Sequence, residues 1–432
     1  MSHYLDFYDT NYKPKSSDVV CLFRVEPATG MSKREAIGRV ASESSNGTWS
    51  DLTTLKPHIR KIRARAYEVK GNYVKIAYPI ELFEMGSVPQ LLSSFGGNVF
   101  GMKAVKNLRL EDIHFPEKLL NSFRGPEYGI EGIRKRFKIY KRPLTASVPK
   151  PKVGLTTSEF AKVAEDVWSG GIDLVKEDEN LTDQFFNRFE NRVNHCFRIR
   201  DKVEKETGER KGQLVNVTAE TMEMLARAKL VYDLGGEFVM IDVVTTGFGA
   251  FQTLREFCHD HKMAIWVHRA MHSMFTRNPK HGMSMLALAK LVRLVGGDSL
   301  HIGTADRGKL FGKKDEVLML EREIEHNVEG HFTTSGVNVL NQKWGHIKPI
   351  LAVSSGGLHA GSVPYIVKTL GKDIAIQVGG GCHGHPMGSK AGATSVRQAI
   401  DATMNGIHLS EYAKTHKELK SALDKWGYIV PV

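Results

Sequence analysis

An amine and two carboxylates crowd the end of one apolar run. The stretch GGIDLVKEDEN (Gly170 to Asn180) reads as a buried strand that ends in charge, with Lys176 two residues before Asp178 and three before Glu179. Side chains two apart on a strand share a side, so Lys176 and Asp178 point together. Two carboxylates can begin a Mg²⁺ site, because that ion takes hard oxygen ligands and keeps several waters. A protonated amine opposes such a site. The conflict lifts if the neutral amine takes up carbon dioxide as a carbamate, which is anionic and offers oxygen, and burial favours the neutral amine. The competing reading is a structural ion pair.

Other stretches carry groups of the same kind. VPKPK (Val148 to Lys152) alternates Lys150 and Lys152 with prolines that stiffen the segment. Fixed amines suit a general base and a stabiliser of negative charge, against plain surface solubility. VHRAMH (Val267 to His272) offers His268 for proton transfer near neutral pH and Arg269 for bidentate phosphate binding. His268 and His272, four apart, also have the spacing of paired zinc histidines on a helix, but a strand is expected to end inside the motif. SSGG (Ser354 to Gly357) and GGG (Gly379 to Gly381) would let backbone N–H groups approach an anion closely. TADRGKLFG (Thr304 to Gly312) suggests a lid that carries a cation, against an ordinary turn. CHGH (Cys382 to His385) has the look of a metal-binding tract, with its ligands too close together to surround one ion easily. SESSNGTW (Ser42 to Trp49) and GGNVFGMKAV (Gly96 to Val105) show no function locally.

These groups need a scaffold that gathers them. Eight short apolar runs recur from residue 144: LTASVP, GIDLVK, QLVNVTA, FVMIDVVTTG, AIWVHRA, SLHIGT, ILAVSSGG and IAIQVGGG. Amphipathic segments separate most of them, such as TSEFAKVAEDVW and SMLALAKLVRLV. Continuous apolar strands alternating with helices imply parallel strands buried on both faces. Eight such units predict a closed (β/α)8 barrel over residues 141–432. Nearly every run ends in polar residues or glycine: Lys150, Lys176, His268-Arg269, His301, Ser355-Gly356-Gly357, Gly379-Gly380-Gly381. The C-terminal rim of such a barrel is where chemistry sits, and phosphate sites after the last two strands are common there. Residues 1–140 instead mix strand-like VVCLFRVEP and YEVKGNYVKIAYPIELF with helix-like SKREAIGRVASESS and SVPQLLSSFGG, an α+β pattern.

Composition narrows the class. With 432 residues, 41% apolar and 25% charged, the chain can bury a sizeable core. No run reaches the ~18 uncharged apolar residues of a membrane span, and MSHYLDFYDTNYKPKSS has no signal-peptide core. Cys21, Cys196, Cys258 and Cys382 lack paired spacing, which suits a reducing cytoplasm. The formal charge of +12 concentrates in KPHIRKIRARAYEVK and GIRKRFKIYKRP. Solvated faces or attraction of a small anionic substrate explain it better than nucleic acid, because the aromatics are not interleaved as base-stacking platforms.

Taken together, the motifs and their order resemble the large subunit of ribulose-1,5-bisphosphate carboxylase/oxygenase over nearly the whole chain. The fold of that family is an α+β N-terminal domain followed by a barrel. The resemblance implies that Lys176 is carbamylated and that Asp178 and Glu179 complete a Mg²⁺ site. It implies that Lys150 is the base for enolisation and that Lys152 assists. His268 would be a later proton-transfer group and Arg269 a phosphate ligand, with His301 and Ser355 further substrate contacts. Gly356, Gly357, Gly379 and Gly380, with Thr48 and Trp49, would bind substrate at its other phosphate. Lys309 would be the lid lysine that stabilises the developing carboxylate. Glu43 and Asn98 match residues that reach a neighbouring subunit's site, which implies an obligate homodimer, with a higher assembly of dimers open. VPKPKVG and YGIEGIRKRF look most like archaeal form III enzymes, for which no small subunit is expected and nucleotide salvage is the implied setting, a reductive cycle being the alternative. The implied partners are ribulose 1,5-bisphosphate, carbon dioxide and oxygen. The rival is a related enolase or isomerase of methionine salvage, whose members usually lose several of Lys150, His301, Lys309 or the N-terminal loop residues. Departures are Phe311, where the family usually has glutamate, a lid approach one residue longer than in plant enzymes, and Val148, where many members have threonine.

Overall fold

The computed structural model describes residues 3–50, 52–310, 312–334 and 337–428. In chain order the strands are β1 (Val19–Pro27), β2 (Arg65–Lys70), β3 (Tyr73–Tyr78), β4 (Val105–His114), β5 (Leu144–Ser147), β6 (Leu174–Lys176) and β7 (Gly212–Asn216). They continue with β8 (Phe238–Asp242), β9 (Ala264–His268), β10 (Gly282–Met283), β11 (Ser299–His301), β12 (Leu351–Ser355) and β13 (Ile374–Val378).

The described chain forms two compact units. The first takes Met1–Gly125, Met271–Val295 and His326–Ile347. Its sheet has the order β10-β4-β1-β3-β2. β1 sits in the middle, antiparallel to β3 and β4, and β10 adds to β4 in parallel. The apolar helix Met285–Val295 is buried along its whole length, where Lys290 Nζ pairs with Asp112 at 2.8 Å. A buried ammonium persists only when a carboxylate offsets the loss of water.

The second unit takes Pro126–Ala270, Gly296–Glu325 and Lys348–Val432. Its eight strands close into a barrel in the order β11-β12-β13-β5-β6-β7-β8-β9, every pair parallel. One core cluster fills the barrel: Leu144, Ala146, Leu174, Leu214, Phe238, Met240, Ala264, Trp266, Leu351, Val353 and Ala375. Ile133 and Phe137 of the helix Gly129–Phe137 join that cluster, and the Phe137 ring lies 5.5 Å from Phe238. Phe238, Leu144 and Gly212 start their strands, so this helix plugs the N-terminal end of the barrel.

Period 2 then dictates what reaches the open end. Two residues beyond each inward apolar side chain stand Lys176 after Leu174, Asn216 after Leu214, Asp242 after Met240, His268 after Trp266 and Ser355 after Val353. The apolar run FVMIDVVTTG, expected as one strand, stops pairing at Asp242 and turns helical over Val243–Thr246. The helix Thr157–Ser169 starts at a capping box of Thr156 and Glu159. Among the described residues no helix is long and apolar enough to cross a membrane, and all four cysteines are buried and free.

Candidate active site

The mouth of the barrel gathers seven of the expected side chains into three contact groups: Lys150 with Asp178, Lys176 with Glu179 and His268, and His301 with Ser355. Lys176 is fully buried, and its Nζ donates to the Glu177 carbonyl at 2.8 Å and lies 3.4 Å from Glu179 Oε2. Lys150 Nζ donates to Asp178 Oδ2 at 2.8 Å, and the Asn180 side-chain amide donates to Asp178 Oδ1 at 3.1 Å. Glu179 Oε2 also faces His268 Nε2 at 3.7 Å. Burial raises the Glu179 carboxyl, and the Lys176 and His268 charges outweigh that, leaving it at about 2. Glu179 is therefore a carboxylate throughout the neutral range.

Both rim histidines are held by neighbours. His268 Nδ1 lies 2.6 Å from Asp242 Oδ1 and 3.2 Å from the Ala270 amide nitrogen, and its Nε2 faces the mouth beside Glu179. The Trp266 indole can only donate, and it donates to His301 Nε2 at 3.0 Å. His301 Nδ1 therefore carries the proton and donates to Ser355 Oγ at 2.7 Å. Burial, then the charges of His268, Lys176 and Arg269, hold His301 well below the usual imidazole range, so it is neutral. Burial lowers the Arg269 guanidinium to about 10, still a cation at neutral pH, and a Cβ at Gly303 would lie 3.3 Å from its Nη2.

The glycines answer a need for space. Gly357 has φ +86°, and a Cβ there would meet the Lys309 backbone nitrogen at 3.1 Å. The Lys309 amide donates to the Gly356 carbonyl at 3.0 Å, so the expected lid lies against the end of β12. A Cβ at Gly379 would meet Lys150 Cε at 3.3 Å, while Gly380 faces open space. Lys152 is exposed beyond Pro151, and Val148 is buried on the inward face. Phe311 lies outside the described residues.

Four expected residues stand on the first unit. Glu43 closes the helix Lys33–Glu43 and is exposed, Thr48 is half-buried, and Asn98 opens the turn Asn98–Gly101 and is exposed. Trp49 is 82% exposed, a large apolar ring left in water. The zinc spacing of His268 and His272 is not realised on a helix, because His268 ends β9 and the short helix Ser273–Thr276 begins after His272. His272 instead bonds Thr276 Oγ1 at 2.9 Å.

Sequence reasoning missed the residues that hold this group in place. Glu177 lies between Lys176 and Asp178 and points the other way, where Arg192 binds it with Nε at 2.8 Å and Nη2 at 3.1 Å, both side chains 0% exposed. Gln213 and the Asn216 amide complete its partners at 2.8 and 2.9 Å. Asn216 Nδ2 clasps the loop by its Asp178 and Leu181 carbonyls, at 3.2 and 3.0 Å. Asp242 was legible in principle, as an acid closing an apolar run. Arg192→Met is expected to lower the unfolding free energy by about 3 kcal/mol, because it strands a buried carboxylate. Urea melts measure it, and a loss below about 1 kcal/mol would mean that water reaches Glu177.

Two family models cover the chain. The ribulose bisphosphate carboxylase large chain N-terminal domain matches residues 6–119, and the catalytic domain of the same large chain matches residues 129–426. A curated ribulose bisphosphate carboxylase of Pyrococcus abyssi is 49% identical over 432 residues, 99% of this chain and 98% of that protein. One of Archaeoglobus fulgidus is 48% identical, covering 99% of each. Among solved structures, a dimeric archaeal Rubisco from Hyperthermus butylicus superposes with a TM-score of 0.92 at 48% identity, covering 99% of this chain and 100% of that one. An octameric Rubisco from Pyrococcus horikoshii, solved with sulfate, gives 0.91 at 47% identity, covering 98% and 97%.

Proposed function

From the premise that this chain belongs to the ribulose bisphosphate carboxylase large-chain family, we propose that it carboxylates ribulose 1,5-bisphosphate to two molecules of 3-phosphoglycerate and also accepts oxygen. The observation that carries this is the gathering at the barrel mouth of separate short contacts: Lys150 on Asp178 at 2.8 Å, Lys176 on Glu179 at 3.4 Å with His268 3.7 Å from the same carboxylate, and His301 on Ser355 at 2.7 Å. The His268 and His301 rings stand 4.8 Å apart, centre to centre.

The donor set suits Mg²⁺. Asp178 and Glu179 supply hard oxygens, and Lys176, converted to a carbamate by carbon dioxide, would supply a third. The Lys176 amine already lies 3.4 Å from one of those carboxylates, and its side chain is fully buried. When bound, the ion supplies Lewis acidity toward the substrate's oxygens.

The remaining work falls to side chains. Lys150, held at Asp178 by a 2.8 Å bond, takes the proton from C3 as the neutral amine, after giving up its own, to leave the enediolate. Lys152 adds positive charge beside it. Carbon dioxide then forms a bond to C2, and Lys309 on the lid shields the new carboxylate. Water adds at C3, the C2–C3 bond breaks, and a proton returned to C2 completes the second phosphoglycerate. Neutral His301 and its hydrogen-bonded Ser355 orient the sugar, and His268, backed by Asp242, moves protons at its Nε2. Arg269 binds one phosphate, and the N–H groups of Gly356, Gly357, Gly379 and Gly380 bind the other. Glu43, Thr48, Trp49 and Asn98 would complete the site of a second copy in an obligate homodimer, which explains an indole left 82% exposed.

The test is incubation with ribulose bisphosphate and labelled carbon dioxide. Labelled 3-phosphoglycerate is expected only with Mg²⁺ and after preincubation in bicarbonate. An enolase or isomerase would consume an analogous substrate and yield no labelled phosphoglycerate.

A further inference from the structure

The tract Cys382–His385, whose composition suggests metal binding, is used otherwise. His385 turns away, its Nε2 2.9 Å from the Glu418 carbonyl, while Cys382 shares Ser389 and Ser147 with His383, its Sγ 3.6 Å from the Ser389 carbonyl. His383 Nε2 contacts Ser147 Oγ at 3.1 Å, and its Nδ1 contacts Ser389 Oγ at 3.1 Å.

We propose that His383 is a positioning residue for Lys150, acting through Ser147. The inference rests on Lys150 being the base that takes the C3 proton.

Three observations place the link. Ser147 is the last residue of β5, fully buried, and alternates with the inward-facing Leu144 and Ala146, so its hydroxyl points out toward the helical layer. Its register partner on β13 is Val378, directly before Gly379. His383 stands one turn beyond that glycine, and its amide donates to the Gly379 carbonyl at 3.1 Å. The Ser147–His383 contact thus joins the strand that delivers Lys150 to the turn against which the Lys150 stem rests, since a Cβ at Gly379 would lie 3.3 Å from Lys150 Cε.

Between Ser147 and Lys150 the chain has little freedom. Pro149 precedes the lysine and Pro151 follows it, and each ring fixes its own φ. A displacement at Ser147 therefore shifts the backbone that carries Lys150. Burial, then the charge of Lys150, holds His383 down to about 4, so the link is neutral at working pH and places no competing charge beside the base.

The test compares H383A, S147A, H383Q and K150M with the parent enzyme. The readouts are tritium washout from C3 of labelled ribulose bisphosphate, kcat, and KM for that substrate. H383A is expected to lower washout and kcat together by ~10-fold or more, with KM within about 2-fold, because misplacing a catalytic group lowers the rate of its own step. H383Q, which can still reach Ser147, is expected to recover most of the loss. Should H383A not fold, S147A removes the same contact with little change of volume and is expected to give the same split. Washout in H383A and S147A within about 2-fold of the parent overturns the proposal, and so does a rise in KM at constant kcat, which would make His383 a phosphate-site residue. Undiminished washout in K150M would instead remove the base assignment itself, so the two failures are distinguishable.

Discussion

Replacing Lys176 with alanine is expected to abolish carbon dioxide fixation, by on the order of 10³-fold or more. Lewis-acid stabilisation is worth several kcal/mol, and each 1.36 kcal/mol is about tenfold in rate. The site has two carboxylates within reach of an ion, and one of them, Asp178, is already bound to Lys150 and Asn180. Without a third oxygen donor the protein would hold the ion by two carboxylates alone, one of them shared with Lys150. In the proposed scheme the Lys176 carbamate would supply that oxygen; the side chain is fully buried, with its amine against the Glu177 carbonyl and the Glu179 carboxylate. Two measurements separate this from simple damage. Labelled carbon dioxide trapped on the protein as a stabilised carbamate should vanish in the variant, while the urea midpoint should hold. Turnover that still rises with bicarbonate, within about tenfold of the parent, would remove the carbamate from the scheme.

The barrel was legible because its strands are continuous apolar runs, and buried parallel strands must be apolar on both faces. The rim was legible for a related reason: the core cluster ends at Trp266, Val353 and Leu174, and the next inward positions hold His268, Ser355 and Lys176. A polar residue at an inward position past the end of a core is a residue meant for the mouth. The outward partners were not legible. Glu177 reads as one more acid in a charged tip, yet period 2 turns it to Arg192, fifteen residues on and in the first turn of a helix. Nothing in the spacing of those two residues marks them as a pair. The helical turn Val243–Thr246 was hidden for a different reason: Val and Thr favour strands, and only the loss of a pairing partner after Asp242 stops β8. CHGH misled because composition alone cannot say that Cys382 and His385 turn to backbone carbonyls while His383 turns to a strand. Ligand tracts are decided by direction, which a sequence does not display.

Lys150→Met is expected to cut tritium washout from C3 by ~10³-fold, within the range that a positioned general base contributes. The 2.8 Å bond to Asp178 allows a different explanation of the same loss. Lys150 could serve only as a counter-charge, keeping Asp178 oriented while another group takes the proton. Lys150→Arg separates the two, because arginine keeps the positive charge and the donor but does not give up its proton in a protein. If Lys150 is the base, both variants lose washout to a similar extent. If it is only a counter-charge, the arginine variant stays within about tenfold of the parent while the methionine variant falls. The lysine side chain is 35% exposed, but Asp178 is only 3% exposed, so Lys150→Met leaves a buried carboxylate with one donor fewer while Lys150→Arg keeps it paired. The unfolding midpoint of the arginine variant should therefore stay close to the parent's, and a large loss of washout in that variant would report on chemistry rather than on folding.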